Sequence, residues 1–149
     1  MFHKDQVIQE INEYCKKYRN FNLEQFEISD LYNLFPENND NNEIKDCPKW
    51  PDSWPVSTTH SNAGVYLVFN KSLELIYVGK ASMKSAIQAR LNAHFKDENG
   101  KCRLIGNWSN PKYFLCVFMP KDLIFEAPAL EEYLITKLQP CDNTIGREY

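Results

Sequence analysis

The run AGVYLVFNKSLELIYVGKASMKSAIQARLNAHF, residues 63–95, decides how this chain folds. Val65, Leu67 and Phe69 alternate with Tyr66, Val68 and Asn70, and Leu75 and Tyr77 alternate with Ile76 and Val78. That period of two predicts a strand on either side of a polar turn at Asn70, Lys71 and Ser72. The result is an antiparallel hairpin on which Tyr66 and Tyr77 can share a face. Beyond it, Ile87, Leu91 and Phe95 recur at helical spacing and predict a helix over 84–95 with those residues buried. Arg90 and His94 then fall on the edge of that stripe, one turn apart.

Working outward, Tyr113, Phe114, Leu115, Cys116, Val117 and Phe118 mark a third strand over 112–119, and 99–111 reads as a loop. The last helix opens at Ala127-Pro128, where proline suits the first turn, and runs to Leu138 with Leu130, Leu134 and Leu138 inward. Glu131 lies beside that line and Glu132 nearly opposite, so the helical wheel selects Glu131 as the half-buried carboxylate. Pro140 and Asn143 close the helix. The order is β-β-α-β-α.

Gly64-Val65-Tyr66 and Tyr77-Val78-Gly79, then Arg90-Leu91 and His94-Phe95, then LEEYLITKLQPCDN over 130–143, resemble the GIY-YIG nuclease family in order, with Val for Ile in both tripeptides. The resemblance implies an α+β fold: a small domain with a three-stranded antiparallel sheet flanked by helices, spanning 63–149. Residues 1–62 are then a helical N-terminal extension and a Pro/Asn-rich connection. It also implies an endonuclease that hydrolyses DNA phosphodiesters to 5′-phosphate and 3′-hydroxyl ends.

Such hydrolysis needs an activated water and positive charge for the phosphoryl oxygens. By the resemblance, Glu131 is the single protein ligand of one divalent ion, Mg²⁺ or Mn²⁺, the remaining positions being water and phosphate, as Mg²⁺ prefers. Arg90 contacts the scissile phosphate through its planar fork. Tyr66 is the general base or the relay to one. Its ordinary pKa near 10 is too high, so either Arg90, Lys80 or the metal lowers it, or the proton passes on to His94. Tyr77 lines the same face, Lys80 adds charge, and Asn143 steadies the helix end and the metal carboxylate. Gly64 and Gly79 allow close backbone approach or a bulge. One departure from compact family members is the longer Gly79-to-Arg90 spacing, which leaves Lys84 as an alternative cation. Taken singly, each residue has a blander role: strand tyrosines pack cores, and surface arginines and helix glutamates face water.

Composition fits one ordinary globular domain, 43% hydrophobic and 25% charged over 149 residues. No apolar run approaches the roughly 18 to 20 residues of a membrane span, and the first residues lack a signal-peptide core, so the expected location is cytoplasmic with no membrane association. Five cysteines without a C-x-x-C pair read as free thiols. The net charge of −3 argues against strong non-specific DNA binding. Residues 1–59 hold 6 Lys and Arg against 11 Asp and Glu, a balance of −5, and 60–149 hold 11 against 9, a balance of +2. The acidity therefore lies mostly outside the resemblance.

In the extension, Val7, Ile8, Ile11, Tyr14, Cys15 and Tyr18 predict an amphipathic helix over 4–19. Residues 29–35 suit a second helix with Ser29 as cap and Pro36 as stop, and 20–28 suit turn or strand. The connection 36–62 is expected to lie on the core, because Trp50 and Trp54 need burial, with His60 exposed. Residues 1–35 are either a lid or a surface for a homodimer or protein partner. The rival to the endonuclease is a catalytically silent nucleic-acid- or protein-binding module on the same fold.

Overall fold

The computed structural model describes residues 1–35, 43–47, 54–98 and 101–144, and the side chains of all of these except 97, 98, 101 and 102. The expected burial of Trp50, the stop at Pro36 and the tail after Thr144 lie outside the described residues. Helix α1 (Lys4–Tyr18) is followed by short strands β1 (Glu27–Ile28), β2 (Tyr32–Asn33) and β3 (Lys45–Asp46). The hairpin β4 (Gly64–Phe69) and β5 (Leu75–Ala81) leads to α2 (Ile87–His94), a second hairpin β6 (Phe95–Glu98) and β7 (Lys101–Leu104), then β8 (Tyr113–Phe118) and α3 (Glu126–Leu138).

The main sheet runs β3-β2-β8-β4-β5, with β1 also on β8, so it is mixed and larger than the three antiparallel strands expected. Its three long strands are β8, β4 and β5, each antiparallel to its neighbour, with β5 at the edge; β2 and β3 pair in parallel. One face buries Val65, Leu67, Phe69, Leu75 and Val78 under α1 and α3, with Val7, Ile11, Leu130 and Leu134. The other buries Tyr66, Val68 and Ile76 under α2, with Ile87, Leu91 and Trp54. A sheet covered on both faces explains why β4 and β8 are apolar at nearly every position.

Residues 29–35 are not helical. Their apolar spacing suits a helix, but the segment lies along β8, where Ser29 and Leu34 donate backbone N–H groups to Cys116 and Lys112 carbonyls at 2.8 and 3.0 Å. Ser29 uses its hydroxyl to accept from the Cys116 amide instead of capping a helix. The expected loop at 99–111 is likewise partly the hairpin β6–β7. Its charged strands carry no alternation, and among its described side chains Phe95 and Leu104, paired at its base, join the core. Helix α2 accordingly stops at His94, where Phe95 takes extended angles.

Trp54 is buried as expected, its indole N–H donating to Asn92 at 2.7 Å. His60 is not exposed: its ring is 10% accessible and bonds the Gln25 carbonyl at 2.7 Å. Arg19, just past α1, forks onto Glu126 at the start of α3 with N–O distances of 2.8 and 3.0 Å. This buried pair ties the extension to the helix that carries Glu131. No helix among the described residues is long and apolar enough to cross a membrane.

Candidate active site

The site begins with an irregularity in β5. Cross-strand register pairs Tyr66 with Gly79 and Val68 with Tyr77, but Phe69 with Leu75, which leaves Ile76 as an extra residue. Strict alternation would put Tyr77 on Leu75's side of the sheet. The bulge turns Tyr77 to the opposite face, beside Tyr66, with ring centroids 6.1 Å apart.

The two motif glycines are fixed by close approach. A Cβ at Gly79 would collide with the Tyr66 phenol, and one at Gly64 with the Val117 carbonyl oxygen on β8. Gly64 also has φ +156, an angle that L residues rarely adopt.

At the outer edge of β5 a cavity of about 310 Å³ is lined by Tyr66, Tyr77, Lys80, Met83, Arg90 and Glu131, with Ala81, Ser82 and Ser85. Residues from α2 and α3, on opposite faces of the sheet, thus meet around the edge strand. Lys84 is exposed and does not line the cavity, so Arg90 is the helix cation that faces it. Glu131 is half-buried and Glu132 exposed, as the wheel indicates.

Among the described residues no hydrogen bond or ion pair holds the Glu131 carboxylate, although Lys80 and Arg90 share its cavity. Burial raises its pKa, and the charges of Lys80 and Arg90 oppose the rise. No cluster of three His, Cys, Asp or Glu occurs among the described residues. One uncommitted, half-buried carboxylate beside open space suits a hard, largely hydrated cation and not a closed transition-metal site.

His94 is brought to Tyr66, with Nε2 2.9 Å from the phenol oxygen. The Tyr66 pKa is raised, first by burial and then by Tyr77, with Arg90 opposing. Arg90 thus lowers it as expected but is outweighed by burial, and of the two expected routes the one that passes the proton on has its acceptor, His94, in place. The Tyr77 pKa is also raised, chiefly by burial. That of His94 is lowered, first by burial and then by the Arg90 charge, so its imidazole is neutral at neutral pH. A neutral imidazole with an unprotonated Nε2 can accept the phenolic proton.

Asn143 is not bonded to Glu131. Its amide donates to the Val78 carbonyl at 2.8 Å and accepts from the Val78 N–H at 2.9 Å. No strand among the described residues pairs with the outer side of β5, and Asn143 takes a neighbour's place there. Asn143 still borders a second hollow of about 180 Å³ with Tyr77 and Glu131.

Sequence reasoning missed Trp108. Its ring packs 4.6 Å from Tyr77 and 4.5 Å from His94, centroid to centroid. The available signal was a lone large aromatic in a polar stretch, GNWSN, which needs a partner.

The family model for the GIY-YIG catalytic domain matches residues 62–145. UvrABC system protein C of Methanosphaera stadtmanae is 34% identical over 90 residues, 57% of this chain and 14% of that protein. The chain therefore aligns with a small part of that relative's length. No solved structure matches the chain.

Proposed function

Because the chain belongs to the GIY-YIG family, whose members are generally endonucleases, we propose that it hydrolyses DNA phosphodiester bonds with one divalent ion, Mg²⁺ or Mn²⁺, held by Glu131. The observation that supports this reading is the convergence of Tyr66, Tyr77, Lys80, Arg90 and Glu131 on one cavity.

The bound ion would polarise a phosphoryl oxygen and offset the charge that develops on it. Arg90 grips non-bridging oxygens of the scissile phosphate from the opposite wall, and Lys80 adds a second positive charge. Tyr66 takes a proton from a water held in the cavity while handing its own to Nε2 of His94. As the water oxygen bonds to phosphorus the P–O3′ bond breaks, and the 3′-oxygen takes a proton from solvent. This relay never requires a free phenolate, which the buried site disfavours. Tyr77 donates to a phosphate oxygen or to the attacking water. Asn143 supports the site indirectly by fixing the backbone of β5.

The N-terminal extension braces this arrangement. The apolar stripe of α1 is covered within the molecule, and the Arg19–Glu126 pair anchors α3. A homodimer or partner protein docking on residues 1–35 would use the exposed residues Tyr18 and Phe21.

Incubation of the purified protein with supercoiled plasmid and branched DNA, with Mg²⁺ or Mn²⁺ and with chelator, tests the reading. Cleavage should need the ion and disappear in Glu131→Ala and Arg90→Ala. A silent binding module retains DNA or partner binding without cleaving any substrate.

A further inference from the structure

Trp108 lies between β7 and β8, and its indole packs on two residues of the candidate site. It is tilted by 31° over Tyr77 and by 39° over His94, and meets Phe95 edge-on at 5.7 Å. Its loop is tied down on both sides. Ile105 donates its backbone N–H to the His94 carbonyl at 2.7 Å. Ser109 donates through its backbone N–H and its hydroxyl to the two carboxylate oxygens of Asp142, at 2.6 and 2.7 Å. Asp142 is itself fixed by its N–H to the Ile76 carbonyl at 2.9 Å. One turn, residues 140–143, therefore clamps β5 through Asn143 and the Trp108 loop through Asp142.

His94 is the last residue of α2, and its ring reaches Tyr66 through a single hydrogen bond. An imidazole at a helix end can turn about its side-chain torsions. A flat ring against one of its faces removes that freedom. We infer that Trp108, held by Asp142, is a positioning residue that fixes the His94 ring so that Nε2 receives the proton of Tyr66. The inference rests on the relay proposed above.

Proton transfer by a placed side chain contributes about 10² to 10⁴ in rate, so a loosened acceptor loses part of that factor. Single-turnover cleavage of plasmid by Trp108→Leu, which keeps apolar bulk without a ring, should fall about 10- to 100-fold in rate, with the apparent DNA affinity changed less than about 3-fold. Trp108→Phe should recover most of the rate. Asp142→Ala, which frees the loop and leaves the indole intact, should show the same pattern as Trp108→Leu in weaker form.

Long-range ¹H–¹⁵N spectra of the metal-free protein provide a second readout that does not depend on activity. They should show His94 as one tautomer, protonated at Nδ1, in wild type and Trp108→Phe, and as a mixture in Trp108→Leu. Weakened DNA affinity with an unchanged rate would make Trp108 a base-stacking residue and overturn the inference, as would one unchanged tautomer in Trp108→Leu. Wild type that cleaves nothing would overturn the nuclease reading, and the spectra would still judge the placement of His94.

Discussion

Gly79 lies directly under the phenol of Tyr66: the two residues pair across β4 and β5, and no side-chain atom fits between them. The second tripeptide keeps its glycine because the first carries its tyrosine. Gly79→Ala must push the Tyr66 ring away from His94. Urea unfolding should show a loss of about 1–3 kcal/mol, the usual cost of overpacking, together with lost cleavage. Normal stability and activity in this variant would mean that the Tyr66 ring is not seated as described.

The Arg19–Glu126 pair is nearly inaccessible to solvent, with side chains 5% and 10% exposed. Removing one partner strands a buried charge, so Arg19→Met should lower the unfolding free energy by about 3–5 kcal/mol. Replacing both, as Arg19→Met with Glu126→Leu, should return most of that loss. A double variant no more stable than the single one would show that the pair contributes more than mutual neutralisation.

Asn143→Ala leaves the Val78 N–H and carbonyl without their side-chain partner on the sheet edge. A loss of about 1–3 kcal/mol is expected, with faster hydrogen exchange at Val78. Exchange at Val78 as slow as in wild type would contradict the edge-capping role.

His94 sets a pH dependence whose sign follows from its lowered pKa. The unfolded chain takes up this proton near pH 6.5, and the folded protein only at lower pH. The folded state therefore loses stability as pH falls through about 6.5, and this group has little effect above about pH 7. Metal-free wild type should lose stability relative to His94→Gln between about pH 7 and about pH 5.5. Glu131, whose raised pKa acts in the opposite sense, is present in both proteins and cancels from the difference. Parallel stability curves would show that His94 is not held neutral.

Much of the architecture is legible because it rests on strong periodicity. Val65, Leu67 and Phe69 declare β4, and Leu130, Leu134 and Leu138 declare α3 and select Glu131 over Glu132. The segment around Leu31 and Leu34 reads as a helix because local spacing cannot show that the edge of β8 will take up its backbone groups. The β6–β7 hairpin is hidden by its charged composition. Tyr66 and Tyr77 do share a face, as the hairpin suggests, but the bulge at Ile76 that brings this about, since strict alternation keeps Tyr77 with Leu75, is a feature of pairing and not of sequence. Trp108 escaped for the same reason: its partners Tyr77 and His94 are distant in the chain.

On the proposed function, the half-buried carboxylate of Glu131 serves an ion and not the fold. Glu131→Gln removes the charge with little change of shape. It should leave metal-free stability equal to or above wild type, since burial disfavours that charge. Cleavage of plasmid DNA in Mg²⁺ or Mn²⁺, assayed side by side with wild type, should fall below detection in the variant. Metal-dependent cleavage by Glu131→Gln at the wild-type rate would contradict the account.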